Sequence, residues 1–320
     1  MVGWAASSYL ISWIGINSPG AGIQSAAHAA RPEFIKLSLD WSKVVCIQYA
    51  CLLLPAFAIG WWRRCLNLRH YGVTTAGQSV WTLVTSGLVA FALVAMPIKL
   101  LWVVRRFIPL GPGPAYWALL DKSWTPAFWL FLAVSSFVLT PVLEELLYRG
   151  YCQTRLEEDF GGVGAIVIVT LVMALGHNQY FHLSILNIGT LVSMIPFVLG
   201  MGYVYWRSRS LIPGMIIHAV VNVPTKGIYD FLVPAVMVMT LILFRQRWLS
   251  MVQDFHQHAV GKGWKQAAFA ATILAITLVI GYECQPGWFI PVALFGLAVA
   301  LFIESKQRQL ECGSSRDEAA

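Results

Sequence analysis

Charge is what this chain has least of. Only 12% of its 320 residues are Asp, Glu, Lys or Arg, against 58% hydrophobic. A soluble domain carries about 25% charged residues, so a soluble globular fold is excluded and an integral membrane protein is expected. The net charge of +7 does not mark a nucleic-acid binder. In so apolar a chain, basic residues mark cytoplasmic loops. Metal and disulfide spacing is also missing. The six cysteines (Cys46, Cys51, Cys65, Cys152, Cys284 and Cys312) lie mostly in or beside apolar runs and read as small packers. The His-Glu-x-x-His pattern of a zinc peptidase does not occur. No Lys or Arg precedes Arg31, so the basic region of a signal peptide is lacking. Internal repeats, low-complexity tracts and a separate soluble domain are likewise missing.

What is present is a succession of apolar runs. Candidate spans are 42–62, 81–104, 125–149, 164–183, 186–206, 211–229, 231–246, 266–282 and 287–303. They predict an all-α membrane protein, a helical bundle of about eight to ten transmembrane helices. Residues 4–16 are apolar but too short to span, and read as interfacial or re-entrant. Pro213, Gly214 and Pro224 interrupt the run 211–229. Pro213 suits a first helical turn. The stretch 247–265, with Asp254, His256 and His258, reads as a loop or solvated amphipathic connector. The tail Glu304–Ala320 is mixed in charge. The chain divides into an N-terminal membrane region (1–124, a short interfacial segment plus two spans), a polar-motif core (125–230) and C-terminal spans with a cytoplasmic tail (231–320).

Alternation of the spans sorts the basic residues. One side collects those of 63–80, Arg149, Arg155, Arg207, Arg209, those of 245–265 and those of the tail. The other holds Arg105, Arg106, Lys122, Lys226 and the N-terminal Arg31, Lys36 and Lys43. The richer side is expected to be cytoplasmic, which puts the Arg149 end of the third span there.

The third span ends on Glu144-Glu145-Leu146-Leu147-Tyr148-Arg149. A charge at membrane depth costs roughly 2.5–3.5 kcal/mol on insertion scales unless paired or hydrated. Glu145 and Arg149 are i, i+4, the favourable order for an ion pair. Glu144 is rotated about 100° away and has no such partner on its own helix. A general base requires such a group, with its neutralised neighbour as a fixed support. An ordinary cytoplasmic helix end would also hold these residues. Further on, His177 closes an apolar run, as an interfacial residue or as a partner for a water on Glu144. His218 and Asn222 are i, i+4 on an otherwise apolar helix. They are an interhelical hydrogen-bonding pair or two donors for an oxyanion. Together the three sets are the parts of a water-activating hydrolase.

The order Glu144-Glu145-x-x-x-Arg149, His177, His218-x-x-x-Asn222 resembles the CPBP family, the Rce1-type CAAX prenyl proteases and bacteriocin-processing membrane proteins. The run Gly200-x-Gly202 … Arg207-Ser208-Arg209-Ser210-Leu211-x-x-Pro213 adds to the resemblance, which covers roughly 125–230. It departs where Met173 stands in place of the usual Phe of Phe-x-x-x-His. The resemblance implies an intramembrane glutamate-type endopeptidase acting without metal or cofactor on a peptide or protein at the lipid bilayer, prenylated or bacteriocin-like. It implies that Glu144 activates water with His177, that Arg149 holds Glu145, and that His218 and Asn222 form the oxyanion site. The alternatives are a non-enzymatic immunity or peptide-binding scaffold, and a proton-coupled transporter using Glu144 and His177.

Overall fold

The computed structural model describes residues 67–111, 132–177, 184–223 and 227–261 in continuous runs, with scattered positions between 43 and 62 and at 130 and 225. Expectations for residues 4–16, the spans 266–282 and 287–303, the tail, Pro224 and most of 42–62 lie outside the described residues. Those described form eight α-helices and no strand. The protein is an all-α membrane protein. The helices are α1 (Val80–Val94), α2 (Met96–Val104), α3 (Thr140–Glu145), α4 (Thr154–Gly176), α5 (Ile185–Ser208), α6 (Ile212–Val221), α7 (Tyr229–Leu243) and α8 (Arg245–Gly261).

Local sequence explains many of the helix ends. Ser79 caps α1 through its hydroxyl on the Thr82 amide, and Ser184 caps α5 on that of Asn187. Prolines open α2, α3 and α6, where a missing N–H does no harm. Around α3 the chain winds with wide i→i+5 turns, Leu132–Leu139 before it and Leu146–Gln153 after it. Gly161, at φ 69°, breaks α4 near its start. A side chain there would be strained, so glycine permits the kink.

Among the described residues α5 is the one unbroken helix long and apolar enough to cross a membrane. The pairs α1–α2 and α7–α8 pass the same test jointly, bent by 47° and 82°. The predicted run 81–104 is thus the bent pair α1–α2, and 211–229 shortens to α6. The stretch 247–265, expected as a loop, is helical as far as Gly261. Its polar residues recur at helical spacing, with Met251 and Phe255 on the packed side, so the segment is an amphipathic helix set across the end of α7.

α5 lies at the centre of the packing. Its Gly189, Gly200 and Gly202 leave room for Leu101 of α2, Val94 of α1 and Ile166 of α4; a Cβ at Gly200 would sit 2.3 Å from Val94. The core joins Ile166, Val169 and Met173 of α4, Phe197, Val198 and Met201 of α5, and Ile217 of α6. Outward-facing Ile188, Val192, Phe231, Val236 and Ile242 are exposed, as lipid-facing residues are.

Loops gather at two ends. At one, Leu211 N–H donates to Gly72 O, Gln78 to Ser208 O, Arg155 to Tyr71, and Arg207 pairs with Asp254. At the other, Arg106 pairs with buried Asp230 at 2.7 Å, and Leu186 N–H donates to Leu110 O. Arg155 and Arg207, grouped on one side by sequence alternation, therefore lie at one end, and Arg106, grouped on the other, lies at the second.

Lys99, 4% exposed, reaches from α2 to the last turn of α6. Its ammonium donates to Val221 O at 3.1 Å and Val223 O at 3.0 Å. The final carbonyls of a helix have no partner within it, and a cation there also favours the helix dipole. Lys99→Met is expected to lower stability by about 1–3 kcal/mol, the cost of orphaned buried carbonyls. A thermal midpoint in detergent unchanged from that of the unaltered protein would contradict the capping role.

Candidate active site

The two carboxylates sit at the end of α3, and both are buried. Glu145 and Arg149 are each 0% exposed, and Arg149 Nη1 lies 2.9 Å from Glu145 Oε1. Arg149 also donates through Nη1 to Met173 Sδ at 3.1 Å and through Nη2 to Val198 O at 3.3 Å. A fully buried guanidinium thus has one carboxylate, one thioether and one carbonyl around it, which is how a charge survives in an apolar interior.

Glu144 points elsewhere, as its rotation on the helix requires. Its Oε1 accepts a 2.5 Å hydrogen bond from Tyr49 Oη, a residue 95 positions earlier. Its Oε2 is buried with no hydrogen bond among the described residues. That oxygen faces His218 Nε2 at 3.7 Å. The distance is too long for a direct bond.

His218 comes from α6 and stands between the two glutamates. Its Nδ1 lies 3.2 Å from Glu145 Oε1, the oxygen that Arg149 already holds. A carboxylate oxygen so paired accepts, so Nδ1 donates and Nε2 is turned toward Glu144. With its single proton on Nδ1 the ring accepts at Nε2; protonated on both nitrogens it donates there as well. Phe197 of α5 stacks edge-on against the ring and limits its rotation.

The close approach of α6 depends on a glycine. A Cβ at Gly214 would lie 2.6 Å from Glu145 Oε2 and 3.3 Å from Cδ. Glu145 cannot swing aside without releasing Arg149 or His218. Gly214→Ala is therefore expected to cost about 1–3 kcal/mol, the usual penalty of overpacking, and to reduce any hydrolytic rate more than tenfold. Paired unfolding and cleavage measurements check both.

Asn222 ends α6. Its Nδ2 donates to Ser136 O at 2.9 Å. In a wide-turn helix the amide five residues on would bond that carbonyl, but residue 141 is proline and has no N–H. Asn222 supplies the missing donor and keeps a second N–H for other use. His177 is the C-cap of α4, and its Nδ1 lies 2.7 Å from Met173 O. A carbonyl can only accept, so Nδ1 carries the proton and a neutral ring presents Nε2 as an acceptor.

The structure thus brings Glu144, Glu145, Arg149 and His218 into one network and fastens Asn222 to the helix that precedes α3. It ties His177 to the same network through Met173, whose carbonyl holds His177 while its sulfur meets Arg149. Methionine in place of phenylalanine thus contributes a weak acceptor as well as bulk. The sequence reading did not find Tyr49, the Met173 sulfur or Lys99. A tyrosine hydroxyl inside the apolar run 42–62 was the available signal, since a buried phenol seeks a partner. Among the described residues no group of three or more His, Cys, Asp and Glu is arranged to hold a metal ion.

Residues 125–224 match the Rce1-like family, described as type II CAAX prenyl endopeptidases. No curated protein matches the chain, and neither does any solved structure.

Proposed function

We propose, from the Rce1-like character of residues 125–224, that this protein is an intramembrane endopeptidase in which Glu144 activates the hydrolytic water. The observation that carries the mechanism is the buried Glu144 Oε2, without a hydrogen bond among the described residues and opposite His218 Nε2, beside a glutamate already neutralised by Arg149. Glu144 Oε2 takes a proton from the water as its oxygen attacks the peptide carbonyl carbon. The carbonyl oxygen, now an oxyanion, is met by the second Asn222 N–H and by His218 Nε2. That role needs His218 protonated on both nitrogens, with Glu145 holding Nδ1. Glu144 then returns its proton to the leaving nitrogen as the C–N bond breaks. His177 Nε2 is the second contact of the water. Substrates are peptides or proteins at the bilayer, including prenylated or bacteriocin-like ones, and the Arg149 end of the site faces the cytoplasm.

Three measurements test this reading. Membrane proteomics of a strain carrying Glu144→Ala is expected to show uncleaved peptides that are absent when the unaltered protein is present. An identical peptide inventory would contradict hydrolysis. A variant lacking Glu144 that still confers the phenotype would favour a binding scaffold. Flux driven by a pH gradient in vesicles would favour a transporter.

A further inference from the structure

We infer that Tyr49, which lies outside the family-matched segment, is a positioning residue for the base. It fixes Glu144 Oε1 so that Oε2 alone is presented to the water. The inference rests on the reading of Glu144 as that base.

The geometry separates the two oxygens of one carboxylate. Oε1 receives the phenol at 2.5 Å, and Oε2 has no hydrogen bond among the described residues. Tyr49 is itself 6% exposed and packs in the main core, so its hydroxyl is aimed by its ring rather than by solvent. Without the phenol, Glu144 could rotate about its last torsion and exchange its oxygens, since that torsion is broad and roughly two-fold. The bond also does electrostatic service. A hydrogen bond donated to the charged form of a carboxylate favours that form. The other titratable or charged groups around Glu144 are Glu145, Tyr148 and Arg149 on its own helix and its continuation, and His218 from α6. None of these makes a hydrogen bond to Oε1 among the described residues.

The sign of the effect follows. Loss of a hydrogen bond donated to a carboxylate disfavours its charged form, so the acid limb of the rate profile is expected to move up in a variant without the phenol. Strengthening the donor moves the limb down. A merely structural residue would give no paired shift of opposite sign.

The experiment uses the full chain in proteoliposomes and an internally quenched peptide ending in a farnesylated CAAX sequence. Three variants are compared: Tyr49→Phe, Tyr49 replaced by 3,5-difluorotyrosine, and Glu144→Gln. The expected result is an acid limb raised by about one pH unit in Tyr49→Phe, with kcat down roughly tenfold and KM within about twofold. The difluorotyrosine form, whose hydroxyl is the stronger donor, is expected to shift the limb downward. Because that form keeps the ring and the hydroxyl, it also serves if Tyr49→Phe fails to fold. If Glu144→Gln is inactive and neither Tyr49 variant moves the limb, the inference is overturned and the reading of Glu144 stands. If Glu144→Gln retains activity, or the unaltered protein leaves the peptide intact, the reading fails and takes the inference with it.

Discussion

Glu144→Gln is expected to fold as the unaltered protein does and to hydrolyse its substrate at least about 100-fold more slowly. General acid–base groups contribute roughly 10²–10⁴-fold, and the amide cannot take a proton from water. Glutamine keeps the volume of the side chain. It also keeps a carbonyl oxygen where Tyr49 Oη donates at 2.5 Å. Glu144→Ala is the poorer test of chemistry, because it also leaves that buried phenol without a partner and costs stability on that account. The decisive comparison is single-turnover cleavage in proteoliposomes beside a thermal midpoint. A Gln variant within tenfold of the unaltered rate would remove Glu144 from the mechanism. A rate lost together with the fold would leave Ala and Gln indistinguishable, so the midpoint belongs to the test.

Arg149→Met is expected to have the largest effect on stability. Glu145 and Arg149 are both 0% exposed and 2.9 Å apart. Breaking a buried pair by removing one member costs about 3–5 kcal/mol, since the remaining charge has no water to return to. That is a large fraction of the total stability of a domain, about 5–15 kcal/mol. Neutralising the survivor relieves it. The double variant Glu145→Gln, Arg149→Met is therefore expected to be more stable than Arg149→Met alone. The coupling between the sites would be about 0.5–3 kcal/mol or more. Equilibrium unfolding in detergent measures the cycle. Simple addition of the two single effects would show that the pair is not a unit. Activity is expected to fall in all three variants, because His218 Nδ1 uses the same Glu145 oxygen as Arg149. Stability is thus expected to recover in the double variant while catalysis does not.

The parts of this site that were legible in the sequence are those set by one helix. The spacing of Glu145 and Arg149 predicts their pairing, and the rotation of Glu144 predicts that its partner comes from elsewhere. Pro213 at the start of α6 and His177 at the end of α4 follow from the same local rules. The run 186–206 is α5 within two residues at either end. What the sequence did not show is which residues meet across the bundle. Tyr49 is 95 positions from Glu144 and Lys99 is 122 from Val221. No periodicity within a helix encodes such a separation. The spacing of His218 and Asn222 places them on one face, yet each is held by a different neighbour: Glu145 for the histidine, Ser136 O for the asparagine. The second contact exists because Pro141 cannot supply the amide that the wide turn calls for. The stretch 247–265 was misread for a related reason. Its charges and histidines suggested a solvated loop, while its few apolar residues already lay on the packed face of a helix.

The cap that Lys99 places on α6 has a consequence for how the chain is made. Its acceptors, Val221 O and Val223 O, are synthesised 122 and 124 residues after it. At about 5–20 residues per second, an ammonium destined for the interior waits roughly 6–24 s for the oxygens that will receive it. In that interval it must stay at a watery surface or be sheltered by the insertion machinery, because a lone cation in lipid is costly. α2 therefore cannot settle to its final depth when it first enters the membrane. Its last adjustment has to wait for α6, so the helix bearing His218 is also the one that lets α2 sink.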